Sequence, residues 1–257
     1  MTRLFEMNRM RHFYVWLAVF LLVNIIAVNI GINIGLDAHT AVVIPLAILT
    51  IVLLTHLIRS GIAPRIGLGT PAQVPAARMW FYLPLWLLVA WPLAQGLRTD
   101  LTLMLLITII GHFIAIGILE EVLFRGLLFR ALLDEGKPVR AVIISTLTFG
   151  VGHAFSLLIG QGLTDTVFQI INATAVGFIF TMIVYLTRSL HVVIAAHILY
   201  NIMATVTMTS EGYTLLLAGL VVALIYGAWL LFLAGVRPDS RRRVRHPAPA
   251  GAVTALP

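Results

Sequence analysis

Apolar stretches of about 20 residues recur along the whole chain, and each is long enough to cross a bilayer as a helix. Such windows lie near residues 12–34, 41–58, 79–97, 101–133, 141–159, 167–187, 191–208 and 213–236. The chain is 60% hydrophobic and only 11% charged, with a mean hydropathy of +1.03. An average soluble domain is about 25% charged. We therefore predict an all-α polytopic transmembrane helical bundle of about eight spans.

Basic residues are distributed unevenly between the connections of these windows. If the amino terminus is cytoplasmic, only Arg98 of the 17 Lys and Arg residues falls on the outer side. The outer connections instead carry acidic residues: Asp37, Asp100, Asp165 and Glu211. This positive-inside pattern predicts that both termini are cytoplasmic. It also explains the net charge of +7 without nucleic acid as a partner. We expect a multi-pass protein of the cell (inner) membrane with the lipid bilayer as its surroundings.

The connections are short, which leaves no room for a separate soluble domain. We predict one transmembrane helical domain over residues 1–236. Residues 237–257 mix an Arg cluster with Pro and Ala, and they are predicted to form a basic, disordered cytoplasmic tail. The chain has no Cys, which excludes disulfides, thiolate metal sites and a Cys nucleophile.

Ionisable side chains inside the apolar windows are the candidates for chemistry, because a charge in the hydrocarbon core costs several kcal/mol unless it is paired or hydrated. Glu120 and Glu121 are adjacent carboxylates in the fourth window. Arg125 lies four residues after Glu121, on the same face of a helix. We predict an ion pair between Glu121 and Arg125. Glu120 then points about 100° away around the helix and is free for another task.

Two histidines and an asparagine lie at a depth similar to that of Glu120. His153 is in the fifth window, and His197 and Asn201 are four residues apart in the seventh. At about 1.5 Å per residue, all four lie roughly 14–21 Å from the cytoplasmic ends of their windows. Carboxylate, imidazole and amide groups are therefore expected in one layer near the membrane middle. Isolated histidines are interpreted as packing residues: His56, His112 and His191.

Three motifs occur in order on separate windows: E-E-x-x-x-R at 120–125, F-x-x-x-H at 149–153 and H-x-x-x-N at 197–201. Together they resemble the CAAX-protease and bacteriocin-processing family of intramembrane endopeptidases. That family includes the type II CAAX prenyl proteases and the Abi proteins. The stretch EEVLFRGLL at 120–128 is similar to the first motif of the family. The resemblance covers about residues 101–205, which we interpret as the catalytic core.

The resemblance implies an endopeptidase that hydrolyses a peptide bond in a peptide or membrane-protein substrate. Glu120 would activate water with the help of His153, and His197 and Asn201 would stabilise the oxyanion of the tetrahedral intermediate. The ion pair predicted above would support them. If Zn²⁺ is bound, its ligands are Glu120, His153 and His197. The same residues serve a metal-free glutamate mechanism, which we favour.

Two other functions are compatible with the same polar residues inside the apolar windows. A non-catalytic membrane scaffold or regulator would have a degenerate site, but every motif residue is present. A proton-coupled carrier would use the two carboxylates, but the chain lacks the repeated halves that carriers usually show. The signatures of other intramembrane proteases, H-E-x-x-H, G-x-G-D and G-x-S-G, are absent. A bacterial peptide, leader sequence or membrane protein is favoured as substrate over a prenylated CAAX protein.

Overall fold

A computed structural model describes residues 1–208 and 214–235, so Glu211 and the tail predicted at 237–257 lie outside the described residues. The helices in chain order are α1 Thr2–Met7, α2 Arg9–Asn33, α3 Ala38–Arg59, α4 Leu83–Ala90, α5 Leu103–Glu121, α6 Arg130–Leu133, α7 Pro138–Gly152, α8 Leu163–Thr187, α9 His191–Val206 and α10 Thr214–Ala234. Short 3-10 helices cover Ala63–Ile66, Ala76–Tyr82, Trp91–Gln95 and His153–Ile159, and Val122–Phe129 is π-helical.

Seven continuous helical segments in the described part of the chain are long and apolar enough to cross a membrane. They are Arg9–Asn33, Ala38–Arg59, Ala76–Gln95, Leu103–Leu133, Pro138–Ile159, Leu163–Thr187 and Leu216–Ala234. Helix α9 is apolar but has only 16 residues, or about 24 Å of helix, against a hydrocarbon core of about 30 Å. The all-α polytopic bundle is therefore confirmed. The seventh predicted window is a short helix rather than a full-length span.

Glycine permits the close helix contacts that bring the motif-bearing helices together. A Cβ atom at Gly117 of α5 would lie 2.5 Å from Cγ1 of Ile198 on α9. At Gly177 of α8, a Cβ would lie 2.8 Å from Cδ1 of Phe149 on α7. Both distances are too short for a side chain, so α5 packs directly on α9 and α7 on α8.

One end of the bundle collects most of the basic residues, and we call it the basic end. It contains the connections 60–75, 134–137 and 188–190. Ion pairs join Arg9 to Asp134 and Arg65 to Glu6 across this end. The backbone N–H of Leu190 donates to the carbonyl of Gly67 at 3.0 Å. The basic residues here are Arg3, Arg9, Arg11, Arg59, Arg65, Arg78, Arg130, Lys137, Arg140 and Arg188.

The opposite end, which we call the acidic end, contains the connections 34–37, 96–102 and 160–162. Its basic residue, Arg98, donates from Nη2 to Oδ2 of Asp100 at 2.6 Å, and this hydrogen bond lowers the pKa of the Asp100 carboxyl. The charge separation read from the sequence is therefore present between the two ends of the described fold. The orientation of the bundle in the membrane stays a prediction.

Candidate active site

A buried cluster of three charged or polar side chains lies where α5, α8 and α9 meet. Arg125 Nη1 donates to Glu121 Oε1 at 2.8 Å, and both side chains are fully buried. The structure therefore contains the ion pair predicted from the i, i+4 spacing. His197 Nδ1 lies 2.8 Å from the same Glu121 oxygen. One carboxylate oxygen thus holds both a guanidinium and an imidazole.

Contacts from α7 and α8 fix the Arg125 guanidinium. Its Nη2 atom donates to the Gly177 carbonyl at 3.0 Å. Its Cζ atom lies 4.0 Å from the ring centroid of Phe149 and 5.6 Å from that of Phe180. Cation–π attraction is stronger when the cation is desolvated, as it is here. None of the three motifs lies on α8, so the contributions of Gly177 and Phe180 have no signal in the sequence.

The helix widens directly after the two glutamates. Helix α5 continues to Glu121, and the π-helical stretch begins at Val122. Single π-helical turns inside α-helices occur frequently at functional sites. The Phe124 carbonyl within this stretch accepts from Ser145 Oγ on α7 at 3.1 Å. This hydrogen bond ties the widened helix to α7, which carries the F-x-x-x-H motif.

Glu120 is in a different environment from its neighbour. Its side chain is 14% exposed, and Oε2 lies 3.6 Å from His197 Nε2. This distance is an ion-pair contact, longer than a hydrogen bond. The carboxylate also lines a cavity of about 750 Å³. The two adjacent glutamates therefore diverge, and His197 lies between them with one ring nitrogen towards each.

His153 is the residue at which α7 ends and the 3-10 helix His153–Ile159 begins. Its Nδ1 atom lies 3.0 Å from the Phe149 carbonyl oxygen. Because a carbonyl only accepts hydrogen bonds, Nδ1–H donates in this contact, and in the tautomer with a single ring proton Nε2 keeps a lone pair. The His153 ring stacks edge-on against Phe149 with centroids 5.1 Å apart. His153 therefore brings a hydrogen-bond acceptor to the cavity that it lines.

The cavity brings together three of the four groups expected in one layer. Glu120, His153 and Asn201 line it, together with the amides of Asn24 and Gln169. His197 does not line it, because its ring is buried behind Glu120. Asn201, one turn further along α9, also borders a second cavity of about 290 Å³. His112, which the sequence interpretation assigned to packing, lines the larger cavity, and its Nδ1 atom lies 2.8 Å from Nδ1 of His39.

The residues considered for zinc do not form a site in this arrangement. Among the described residues, no three His, Asp or Glu side chains lie close enough together to hold a metal ion. His197 Nδ1 faces Glu121, and His153 Nδ1 faces the Phe149 carbonyl. These contacts leave Nε2 of both rings available, but Glu120, His153 and His197 do not lie close enough together to share a zinc ion. The chemistry below therefore uses protein groups alone.

Comparison with known proteins relates the motif-bearing segment to one family. Residues 102–203 match the family model described as type II CAAX prenyl endopeptidase Rce1-like. The matched segment begins just before α5 and ends within α9, so it includes all three motifs. Neither the curated proteins nor the solved structures contain a match to the chain.

Proposed function

We propose that this protein is an intramembrane endopeptidase in which Glu120 activates water. The premise is that residues 102–203, which match the Rce1-like model of type II CAAX prenyl endopeptidases, belong to that family. The family is one of CAAX-type intramembrane proteases, and the chain is a multi-pass membrane protein. The observation that carries the proposal is that Glu120 faces the cavity while Glu121 is held by Arg125. We place the protein in the cell (inner) membrane, acting on a peptide or membrane protein.

The first step takes place between Glu120 and His153, which line the same cavity. A water molecule between them donates one hydrogen bond to the Glu120 carboxylate and the other to Nε2 of His153. As the water oxygen attacks the scissile carbonyl carbon, Glu120 takes its proton. A base positioned in this way typically contributes about 10²–10⁴-fold to a rate.

The attack converts the carbonyl oxygen into an oxyanion, which needs hydrogen-bond donors. We assign that role to the Nδ2 amide of Asn201, which lines the cavity, and to Nε2–H of His197, which lies 3.6 Å from Glu120 Oε2 although its ring does not itself line the cavity. Because Nδ1 of His197 already contacts Glu121, donation from Nε2 as well requires a ring that carries both protons. The charges of Glu120, Glu121, Arg125 and His197 then cancel. Donors held in place in a low-dielectric site stabilise developing charge strongly.

The intermediate collapses when Glu120 returns its proton to the leaving amide nitrogen and the C–N bond breaks. Glu121 and Arg125 touch no reacting atom in this scheme. Glu121 positions His197 through the 2.8 Å contact with Nδ1, and Arg125 holds Glu121. They are therefore positioning residues, and they act on the rate through the orientation of the imidazole.

The proposal is tested by incubating the purified protein with a library of fluorogenic peptides in proteoliposomes and identifying products by mass. Glu120→Gln should abolish cleavage. Glu135→Gln is the matched control, because it is the same chemical change at an exposed carboxylate that pairs with Arg140. If Glu120→Gln and Glu135→Gln cleave alike, Glu120 is not the base.

A further inference from the structure

The cavity that contains Glu120 is displaced towards the acidic end of the bundle. It reaches Ala38, the exposed first residue of α3, and Ile159, the last residue of the 3-10 helix after α7. On α9 it is lined by Ala204 and Thr205, at the carboxyl end of the helix. All of these positions lie beside the acidic-end connections 34–37 and 160–162 or at the same end of their helices.

Three contacting phenylalanine rings lie on the side of the cavity that faces the basic end. Phe13 of α2 contacts Phe124 with ring centroids 6.1 Å apart, and Phe124 contacts Phe149 at 5.2 Å. All three rings are buried. Phe124 and Phe149 line the cavity, whereas Phe13, one turn closer to the basic end than Leu17, does not. These buried, contacting rings lie between the cavity and the basic end.

The side of the cavity between α2 and α7 is apolar and open to the surroundings. Leu147 and Val151 of α7 line the cavity and are also 51% and 60% exposed. Leu17 and Leu21 line it from α2. Apolar side chains that face both a cavity and the lipid suit an apolar segment that arrives from within the bilayer.

We propose that the substrate enters from the acidic end and from the adjoining half of the bilayer, which the charge distribution places outside the cytoplasm. The substrate class is then a membrane-inserted polypeptide whose scissile segment lies in the outer leaflet, with apolar residues against α2 and α7. The amides of Asn24 and Gln169, on this path, provide hydrogen bonds for an extended backbone. The assignment of the entering molecule as a substrate rests on the proposed function.

The direction of access is tested by cysteine labelling, because the natural chain has no Cys and each introduced thiol is unique. Ser156→Cys reports on the cavity, which Ser156 lines near the acidic end. Thr164→Cys marks the exposed surface of the acidic end, and Lys137→Cys marks that of the basic end. The probe is a charged, membrane-impermeant maleimide, applied to spheroplasts before and after permeabilisation. Each full-length variant is first checked for a monodisperse gel-filtration profile.

We expect Thr164→Cys and Ser156→Cys to be labelled in intact spheroplasts, and Lys137→Cys only after permeabilisation. Two results for Ser156→Cys would overturn the proposal: labelling only after permeabilisation, as for Lys137→Cys, or no labelling at all. Labelling of Thr164→Cys only after permeabilisation would also overturn it, because the acidic end would then be cytoplasmic. The labelling does not depend on turnover. An inactive protein with the expected labelling therefore contradicts the proposed function alone, and an active protein labelled from the basic end contradicts this inference alone.

Discussion

Nδ1 of His197 lies 2.8 Å from Oε1 of Glu121, the same oxygen that accepts a hydrogen bond from Arg125 at 2.8 Å. An imidazole on α9 is thereby fixed by a carboxylate on α5, with all three side chains buried. The other ring nitrogen of His197 faces Glu120 at 3.6 Å. The arrangement separates a positioning carboxylate from a reactive one.

Removal of Arg125 should strand the Glu121 carboxylate without its partner. We expect Arg125→Met to lower the free energy of unfolding by about 3–5 kcal/mol, because breaking a buried pair leaves an uncompensated charge. Arg140→Met, which breaks the exposed pair with Glu135, should cost less than about 1 kcal/mol. Thermal unfolding in detergent compares the two variants. Equal losses in the free energy of unfolding would show that the buried pair of Glu121 and Arg125 stabilises the fold no more than the exposed pair does.

A methyl group at Gly177 should disturb the support of Arg125. Its Cβ would lie 2.8 Å from Phe149 Cδ1 and 3.0 Å from Arg125 Nη2, and overpacking typically costs about 1–3 kcal/mol. Gly152→Ala is the control, because its Cβ would have Phe124 Cζ at 3.8 Å as its nearest contact. The melting temperature should fall for Gly177→Ala and stay at the wild-type value for Gly152→Ala. A Gly177→Ala protein as stable as the wild type would contradict the packing described.

His153 is expected to matter for turnover and little for folding. His153→Ala removes the acceptor for the attacking water, so the turnover number should fall by about 10²–10⁴-fold, with the melting temperature unchanged. His191→Ala serves as the control, because His191 lies at the basic end and contacts Ser189. Steady-state cleavage by both variants is the measurement. Similar rates for the two would remove His153 from the mechanism.

Chelators should leave turnover unchanged, because the steps proposed here use only protein groups. The test is peptide cleavage by the purified protein after dialysis against a strong zinc chelator, compared with mock dialysis. A loss of activity that added Zn²⁺ restores would contradict the metal-free scheme. It would also require Glu120, His153 and His197 to come closer together than they are in this structure, where the described residues form no metal-binding group.

The sequence predicted the relations that depend on local spacing. The apolar windows matched the helices, and the four-residue interval between Glu121 and Arg125 matched a buried ion pair. Relations between helices were less accessible, because they depend on how each helix is rotated about its axis. Depth alone predicted His197 in one layer with Glu120, His153 and Asn201, whereas its buried ring lies between the two glutamates and does not line the cavity. The π-helical stretch at Val122–Phe129 has no signal in the apolar pattern. Helix α2, whose residues line one side of the cavity, carries no motif.

The rates of peptide cleavage by Glu120→Gln and Glu121→Gln, each measured with its melting temperature, test the division of roles most directly. Each substitution removes the negative charge of the carboxylate and leaves a side chain of nearly the same shape. Glu120→Gln should melt like the wild type and have no detectable turnover. Glu121→Gln should melt lower and keep partial activity in the folded fraction. A Glu120→Gln protein that still cleaves, beside a stable but inactive Glu121→Gln protein, would show that the two roles are reversed.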